Sequence, residues 1–549
     1  MAVVLRSGMS VGAMSAEEDD RFLRECFVET DAAGAIEELS SPQCIVLGRT
    51  GSGKSAVLLH LEQHSAPNVI RINPESLSLN YISNSNIISY FDGLGINLDV
   101  FYQLLWRHIL AVELIKAKQR FEDERQARTW IEALFRRFNE DQRKRKALEY
   151  LFQFGDSFWA DTEERIREVV RNIERKFTEE SGIDLKASPV SISSKGGSED
   201  TRGFSETREV IHKAQKVVND VQIQELENVL NLLRDDIFDD KYERYYIIID
   251  DLDRDWASDT IRFKLVRALI ETIKKFRRIP NVKIVISMRA DLLLTVLDKT
   301  TSAGFQSEKY EDLYLRMKWT PEQLREMLQK RVSKLFKDQY TGREVQLEEV
   351  LAARVGDKDS FEYMLERTLE RPRDIISFFN ECLTVAAGQT KISNRAIRDA
   401  ESEYSTKRLR SLADEWREAF GDLEPAIRAL KELGPRFEYQ SLDQKTLEGY
   451  CLSILDGPEE IVKKRCFHPE SHAFFSGALT PASFREIICD VLYVVGAVGI
   501  KANSHSKYEW SYRNRPKFEL SRLNPESKFV IHPMLHKALG VYADPRTIM

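Results

Sequence analysis

Gly48-Arg49-Thr50-Gly51-Ser52-Gly53-Lys54-Ser55 is the stretch whose reading decides the fold. It follows the apolar run Cys44-Ile45-Val46-Leu47 and leads into Ala56-Val57-Leu58-Leu59, so it lies between a short buried strand and a helix. In that setting G-x-x-x-x-G-K-[ST] is a phosphate loop. Glycine lets the backbone wrap close to an anion, and the N–H groups at a helix start point at it. The candidate nucleotide-binding residues are therefore Gly48, Thr50, Gly51, Ser52, Gly53, Lys54, Ser55 and Ala56. Lys54 is placed to reach the β- and γ-phosphates and the Ser55 hydroxyl to ligate Mg²⁺, so the implied cofactors are ATP and Mg²⁺.

A second signal is Tyr245-Tyr246-Ile247-Ile248-Ile249-Asp250-Asp251-Leu252-Asp253-Arg254. Five apolar residues suit a strand buried on both faces of a parallel sheet, and carboxylates at its C-terminal end lie where such sheets bind ligands. This is the Walker B pattern. Asp250 is expected to hold Mg²⁺, and Asp251 to orient and deprotonate an attacking water. Neighbouring carboxylates repel each other, and a divalent cation relieves the repulsion. A third apolar run, Val282 to Met288, ends at Arg289, the strand-end position that faces the γ-phosphate in P-loop ATPases (sensor 1).

Farther on, Leu315 to Trp319 reads as another strand, and Thr320 caps a helix with Pro321 in its first position. Arg371-Pro372-Arg373 opens a lid helix with Arg373 in the first turn. A guanidinium there is poorly matched to the helix dipole unless an anion lies nearby, which makes Arg373 a candidate sensor 2 residue and Arg371 its substitute.

The chain has 549 residues, room for two to four domains. Lys+Arg 81 against Asp+Glu 88 gives a net charge of −7, which excludes a global basic field for nucleic acid or anionic lipid. Six cysteines are scattered without a C-x-x-C pair, as in a reducing cytoplasm, and no apolar run nears the roughly 18 residues that span a bilayer. Residues 1–20 are expected to be a flexible N-terminal tail, and 21–320 an ATPase core with a helical insertion over 95–235. Within the core, 20–47 reads as a helix, a turn at Ala32-Ala33-Gly34 and the strand before the loop; the Ser/Gly-rich 187–205 reads as a flexible loop. The basic run Arg143-Lys144-Arg145-Lys146 is read as a solvated helix face.

A helical lid and connector are expected over 321–424, and a winged-helix-like domain over 425–549. In the latter, Thr480-Pro481 starts a helix to Val495, and strands are expected at Tyr508–Tyr512, Lys517–Leu520 and Lys528–Ile531. Glu486 and Asp490 make that helix a poor phosphate partner, so protein docking is favoured over DNA. Cys466, His468 and His472, and likewise His532 and His536, are assigned structural roles because four-ligand clusters are missing.

The two acidic and glycine-rich strings, above all Asp250-Asp251-Leu252-Asp253-Arg254, resemble the KAP group of P-loop ATPases and its AAA+ and STAND relatives. That resemblance implies an α/β P-loop sheet of the ASCE type, with strand order 5-1-4-3-2, a lid and a C-terminal winged helix. It further implies a Mg²⁺-dependent ATPase switch that assembles as a homo-oligomer and gates a protein partner encoded nearby, as in bacterial anti-phage defence. Arg254 becomes a candidate arginine finger. Many KAP ATPases carry membrane spans and this chain has none, so no membrane role carries over. The alternatives are a DNA-dependent loader using the winged helix and a scaffold that holds ATP without turning it over.

Overall fold

The computed structural model describes residues 4–65, 67–75, 85–121, 124–153, 162–182, 210–216, 223–240, 242–254, 256–300, 307–338 and 344–541. The run before the phosphate loop is a strand, Ile45–Gly48 (β1), with every residue buried. It is followed by Val69–Ile72 (β2), Tyr245–Ile249 (β3), Val282–Arg289 (β4) and Tyr314–Arg316 (β5). All pairings among the five are parallel, and the spatial order is β2-β3-β4-β1-β5, the expected 5-1-4-3-2 arrangement. The near-continuous apolar character of β3 and β4 follows from helices covering both faces of a parallel sheet. The protein thus has an α/β P-loop fold in which β4 lies between the loop strand and the acidic strand.

Register carries the site. Gly48 at the end of β1 sits opposite Arg289 at the end of β4. Ile249, the last residue of β3, sits opposite Ile72 and Ile286. The loop, the acidic turn and Arg289 therefore emerge at the same C-terminal edge.

Between β2 and β3 the described regular elements are all helices, from Asn86–Gly93 to Ile223–Leu232 and the turn that follows it. In Asp99–Gln119 the residues Phe101, Leu104, Leu105, Ile109, Val112 and Ile115 are buried, as their spacing predicts, and Trp106 Nε1 donates to the Leu265 carbonyl at 2.8 Å. The basic run lies mostly exposed on the helix Gln142–Gln153. The loop expected over 187–205 lies outside the described residues. The expected turn at Ala32-Ala33-Gly34 is instead part of a helix, Asp31–Glu37. Burying Ile36, Ala32 and Ala33 on one face outweighs the roughly 1 kcal/mol helix penalty of Gly34.

The chain divides into two compact units: Glu29–Arg49 with Lys54–Met317, and Met1–Val28 with Thr50–Gly53 and Lys318–Met549. In the second, the expected loose tail is packed: Leu5, Met9, Val11 and Phe22 are buried in one core with the helices Pro321–Phe336 and Pro372–Val385. Asp19 and Arg331 form a buried ion pair there, and Arg331 Nη1 also donates to the Val11 carbonyl at 2.8 Å. A capping box at Thr320 and Gln323 starts the first of these helices.

The long helix Asn394–Glu415 buries Ile397, Ala400, Tyr404 and Leu409. Beyond it, Arg436–Glu438 (β6), Val498–Lys501 (β7) and Lys528–Ile531 (β8) form an antiparallel sheet ordered β6-β8-β7. Two expected strands are corrected here. Tyr508–Tyr512 makes only an isolated bridge from Glu509 to Ile500, because Trp510 folds over Gly499 and its own N–H is held by Asn514. Lys517–Leu520 is not a strand either: it buries Phe518 and runs into a short 3₁₀ turn. Its place is taken by Val498–Lys501, beyond the left-handed Gly496 that ends the helix Pro481–Val495. His532 Nδ1 accepts from the Met534 N–H at 3.1 Å, and His536 Nε2 donates to the Ile531 carbonyl at 2.9 Å. Among the described residues no helix is long and apolar enough to cross a membrane.

Replacing Arg331 by Met leaves Asp19 buried without its cation, and the expected loss is about 3–5 kcal/mol in denaturant unfolding of the intact chain.

Candidate phosphate-binding site

The loop turns through two left-handed glycines, Gly51 at φ +77° and Gly53 at φ +94°, where a side chain would be strained. At Gly51 there is also no room, since an added Cβ would sit 2.6 Å from Arg373 Cβ. The loop carbonyls are occupied one after another. Lys54 Nζ donates to the Gly48 and Arg49 carbonyls, both at 3.2 Å. Arg371 Nη1 donates to the Thr50 carbonyl, the Arg373 N–H to that of Gly51 at 3.4 Å, and the Trp319 indole to that of Ser52 at 2.7 Å. The N–H groups of Gly51, Ser52 and Gly53, by contrast, meet no acceptor among the described residues. The buried Ser52 hydroxyl is without a partner too. A row of unused donors on a glycine bend at a helix start fits a phosphate.

Burial lowers the pKa of the Lys54 ammonium, against which Asp253 and Asp250 pull it up.

At the tip of β3, Asp250 is buried. Its Oδ2 accepts from the Ser55 hydroxyl at 3.1 Å and lies 3.8 Å from Arg71 Nη2, while its Oδ1 accepts from the Asp251 N–H at 2.9 Å. Asp251 has φ +58°, a left-handed backbone uncommon for a non-glycine residue and a form of strain that clusters at functional sites. Its Oδ1 lies 3.2 Å from Arg254 Nε, and the half-exposed Arg254 also lies 4.0 Å from Glu75. A hydroxyl and a carboxylate side by side suit Mg²⁺, which takes few protein ligands and completes its shell with phosphate and water. No group of three or more His, Cys, Asp or Glu side chains that could cage a metal occurs among the described residues.

Arg289 is tied by two bonds to Asp291, at 3.0 and 2.6 Å, and lies 3.8 Å from Asp253. The two candidate arginines of the lid separate clearly. Arg371 is fully buried and bound to Asp374 and Glu415, with Arg408 closing the cluster at 3.4 Å from each acid. Arg373 makes no ion pair among the described residues, and its Nε donates to the Met14 carbonyl at 3.0 Å. Burial, then the neighbouring charge of Arg371, lowers its pKa. A cation so placed gains from an approaching anion.

Sequence reasoning missed Trp319, Arg71, Met14 and Glu415. Arg71 could have been found as the charged residue in the otherwise apolar β2; the other three carry no local signal, since long-range packing brings them in.

A model for a FunZ-associated C-terminal helical domain matches residues 322–413. The 80.3 kDa protein named for transposon gamma-delta in Escherichia coli (strain K12) is 22% identical over 534 residues. That alignment takes in 95% of this chain and 66% of the relative, so the chain spans just under two thirds of the relative's length. Among solved structures, the Walker-type ATPase of Pyrococcus abyssi aligns at 14% identity and a TM-score of 0.35, over 91% of this chain and 95% of its own. Cdc6p of Pyrobaculum aerophilum aligns at 12% and 0.28, over 95% and 96%. The ORC2 protein of Aeropyrum pernix aligns at 10% and 0.35, over 95% of each chain.

Two outcomes follow from this geometry. Gly51→Ala, strained and sterically blocked, is expected to lower unfolding stability by about 1–2 kcal/mol and to weaken binding of phosphate-bearing ligands. For the buried cluster, desolvation raises the pKa values of Asp374 and Glu415, but Arg371 and Arg408 outweigh it and both end lowered. Acids depressed in the folded state stabilise it above their unfolded pKa values, about 4, and lose that contribution as pH falls through the folded values. Denaturation midpoints measured from pH 6 downward should therefore fall below about pH 4, and less steeply in Glu415→Gln than in wild type.

Proposed function

We propose that this protein is a Mg²⁺-dependent ATP phosphohydrolase that works as a switch, assembling with itself and gating a protein partner. The observation that carries this reading is the 3.1 Å hydrogen bond from Ser55 to Asp250, which joins the phosphate loop to the acidic strand tip at the place a metal would share. When bound, Mg²⁺ supplies positive charge to the β- and γ-phosphate oxygens.

The chain's own residues do the rest. Gly51, Ser52 and Gly53 N–H groups bind the phosphates. Lys54 exchanges its two carbonyl partners for phosphate oxygens, and Ser55 and Asp250 hold the ion. Asp251 orients water and takes its proton as the water oxygen bonds to the γ-phosphorus and the bond to ADP breaks. Its strained backbone, with Arg254 holding one oxygen, fixes the direction of the carboxylate. Arg289 offers charge to the transferring group, and Arg373, against Gly51 and with no ion pair among the described residues, offers its charge to a phosphate on the Gly51–Gly53 N–H groups. Arg254 is the candidate finger for a neighbouring copy.

Loss of the γ-phosphate would release Arg373 and so the lid helix, which is the switching step. The Asp-Asp-Leu-Asp-Arg string supports a KAP-like switch acting in bacterial anti-phage defence beside a separate effector, in the cytoplasm. The antiparallel sheet of residues 436–531 supports a winged-helix-like module used for protein docking.

Phosphate-release and equilibrium binding assays with MgATP test the assignment. Lys54→Ala is expected to abolish binding; Asp251→Asn should bind ATP normally and turn it over about 10²–10⁴ times more slowly. Unchanged turnover in Asp251→Asn would contradict the role given to that carboxylate.

A further inference from the structure

Three consecutive carbonyls of the loop are gripped from outside the cradle, and the grip has a consequence for the donors inside it. A peptide unit is planar and trans, so its C=O and the N–H of the next residue point in opposite directions. Holding the Thr50 carbonyl therefore aims the Gly51 N–H, holding that of Gly51 aims the Ser52 N–H, and holding that of Ser52 aims the Gly53 N–H. These are the three N–H groups that meet no acceptor among the described residues. The holders come from different places in the sequence: the guanidinium of Arg371, the backbone of Arg373 and the indole of Trp319.

We propose that Trp319 and Arg371 are positioning residues for triphosphate binding, acting by fixing the Ser52 and Thr50 carbonyls so that the opposed N–H groups face the phosphates. This rests on the ATP reading above and names residues that need touch neither phosphate nor metal. A flexible glycine bend would otherwise have to be ordered by the ligand, with an entropic penalty on binding. The clamp orders it beforehand. Arg371 is suited to the task because its own geometry is fixed: Asp374 at 3.0 Å and Glu415 at 2.8 Å take its other donors, at the first turn of the lid helix and the last turn of the long connector helix. Trp319 is suited because an indole donates one hydrogen bond along one direction from a half-buried ring that packs on the neighbouring apolar core. The connector helix thus ends on a residue that holds the residue holding the loop, so a load on that helix is felt at the phosphate donors.

The test uses the full chain and the slowly hydrolysed analogue ATPγS with Mg²⁺, titrated calorimetrically. Trp319→Phe keeps the ring and deletes the donor; Arg371→Lys keeps a cation for the two acids and deletes the fork that reaches Thr50. Each is expected to raise the ATPγS Kd about three- to tenfold, the loss of one hydrogen bond's worth of ordering. KM should rise in step and kcat should stay within about twofold in both, while the nucleotide-free melting temperature should not move in Trp319→Phe. An unchanged Kd in Trp319→Phe overturns the proposal, as does a weakened Kd that merely follows a lowered nucleotide-free melting temperature in both variants. Failure of wild type to bind ATPγS is a different result: it removes the ATP reading itself, and is recognised by wild type and Lys54→Ala titrating alike.

Discussion

A planar peptide cannot present its carbonyl and the following N–H to the same side, and the site depends on that constraint. From Gly48 to Ser52 every loop carbonyl has a donor, while the N–H groups from Gly51 to Gly53 meet no acceptor among the described residues. The loop is therefore more than a flexible glycine segment. Its donors are held in one orientation by groups from elsewhere in the chain, which is how a concave row of partial positive charge persists with no ligand to organise it.

Two arginines separated by a single proline, Arg371 and Arg373, meet opposite surroundings. Arg371 is paid in full by two carboxylates and works as a fixed strut. Arg373 lies against Gly51, and among the described residues its guanidinium meets a backbone carbonyl, that of Met14. The N-terminal segment is thereby drawn into the same neighbourhood, anchored by Leu5, Val11 and the Asp19–Arg331 pair. On the sheet side, Asp250 is shared between Ser55 and Arg71, and Asp251 is strained and tethered to Arg254. Each group with a proposed part in chemistry is thus restrained by a neighbour.

Much of this was legible in the sequence because its signals are local. Four apolar residues before a glycine-rich loop, and five before two aspartates, define strands and their ends without knowledge of the rest, and strand order follows from the resemblance they carry. Arg373 was identifiable from Pro372 and the helix dipole alone. What was not legible depends on distant partners. Residues 4–19 look polar and loose until the helix Pro321–Phe336 offers them an apolar face and a buried cation. Gly34 reads as a turn until Ile36 finds a core. Tyr508–Tyr512 alternates like a strand, but the space opposite Gly499 is filled by Trp510 instead. The division of labour between Arg371 and Arg373 was hidden for the same reason, since Glu415 lies 44 residues away from its partner.

The most direct measurement is a crystal structure of the full chain with Mg²⁺ and a non-hydrolysable ATP analogue. The account predicts phosphate oxygens within hydrogen-bond distance of the Gly51, Ser52 and Gly53 N–H groups, the ion against Ser55 and within one water of Asp250, and the Thr50 and Ser52 carbonyls still on Arg371 and Trp319. Phosphates lodged away from that bend, or a bend whose carbonyls have turned inward, would contradict it.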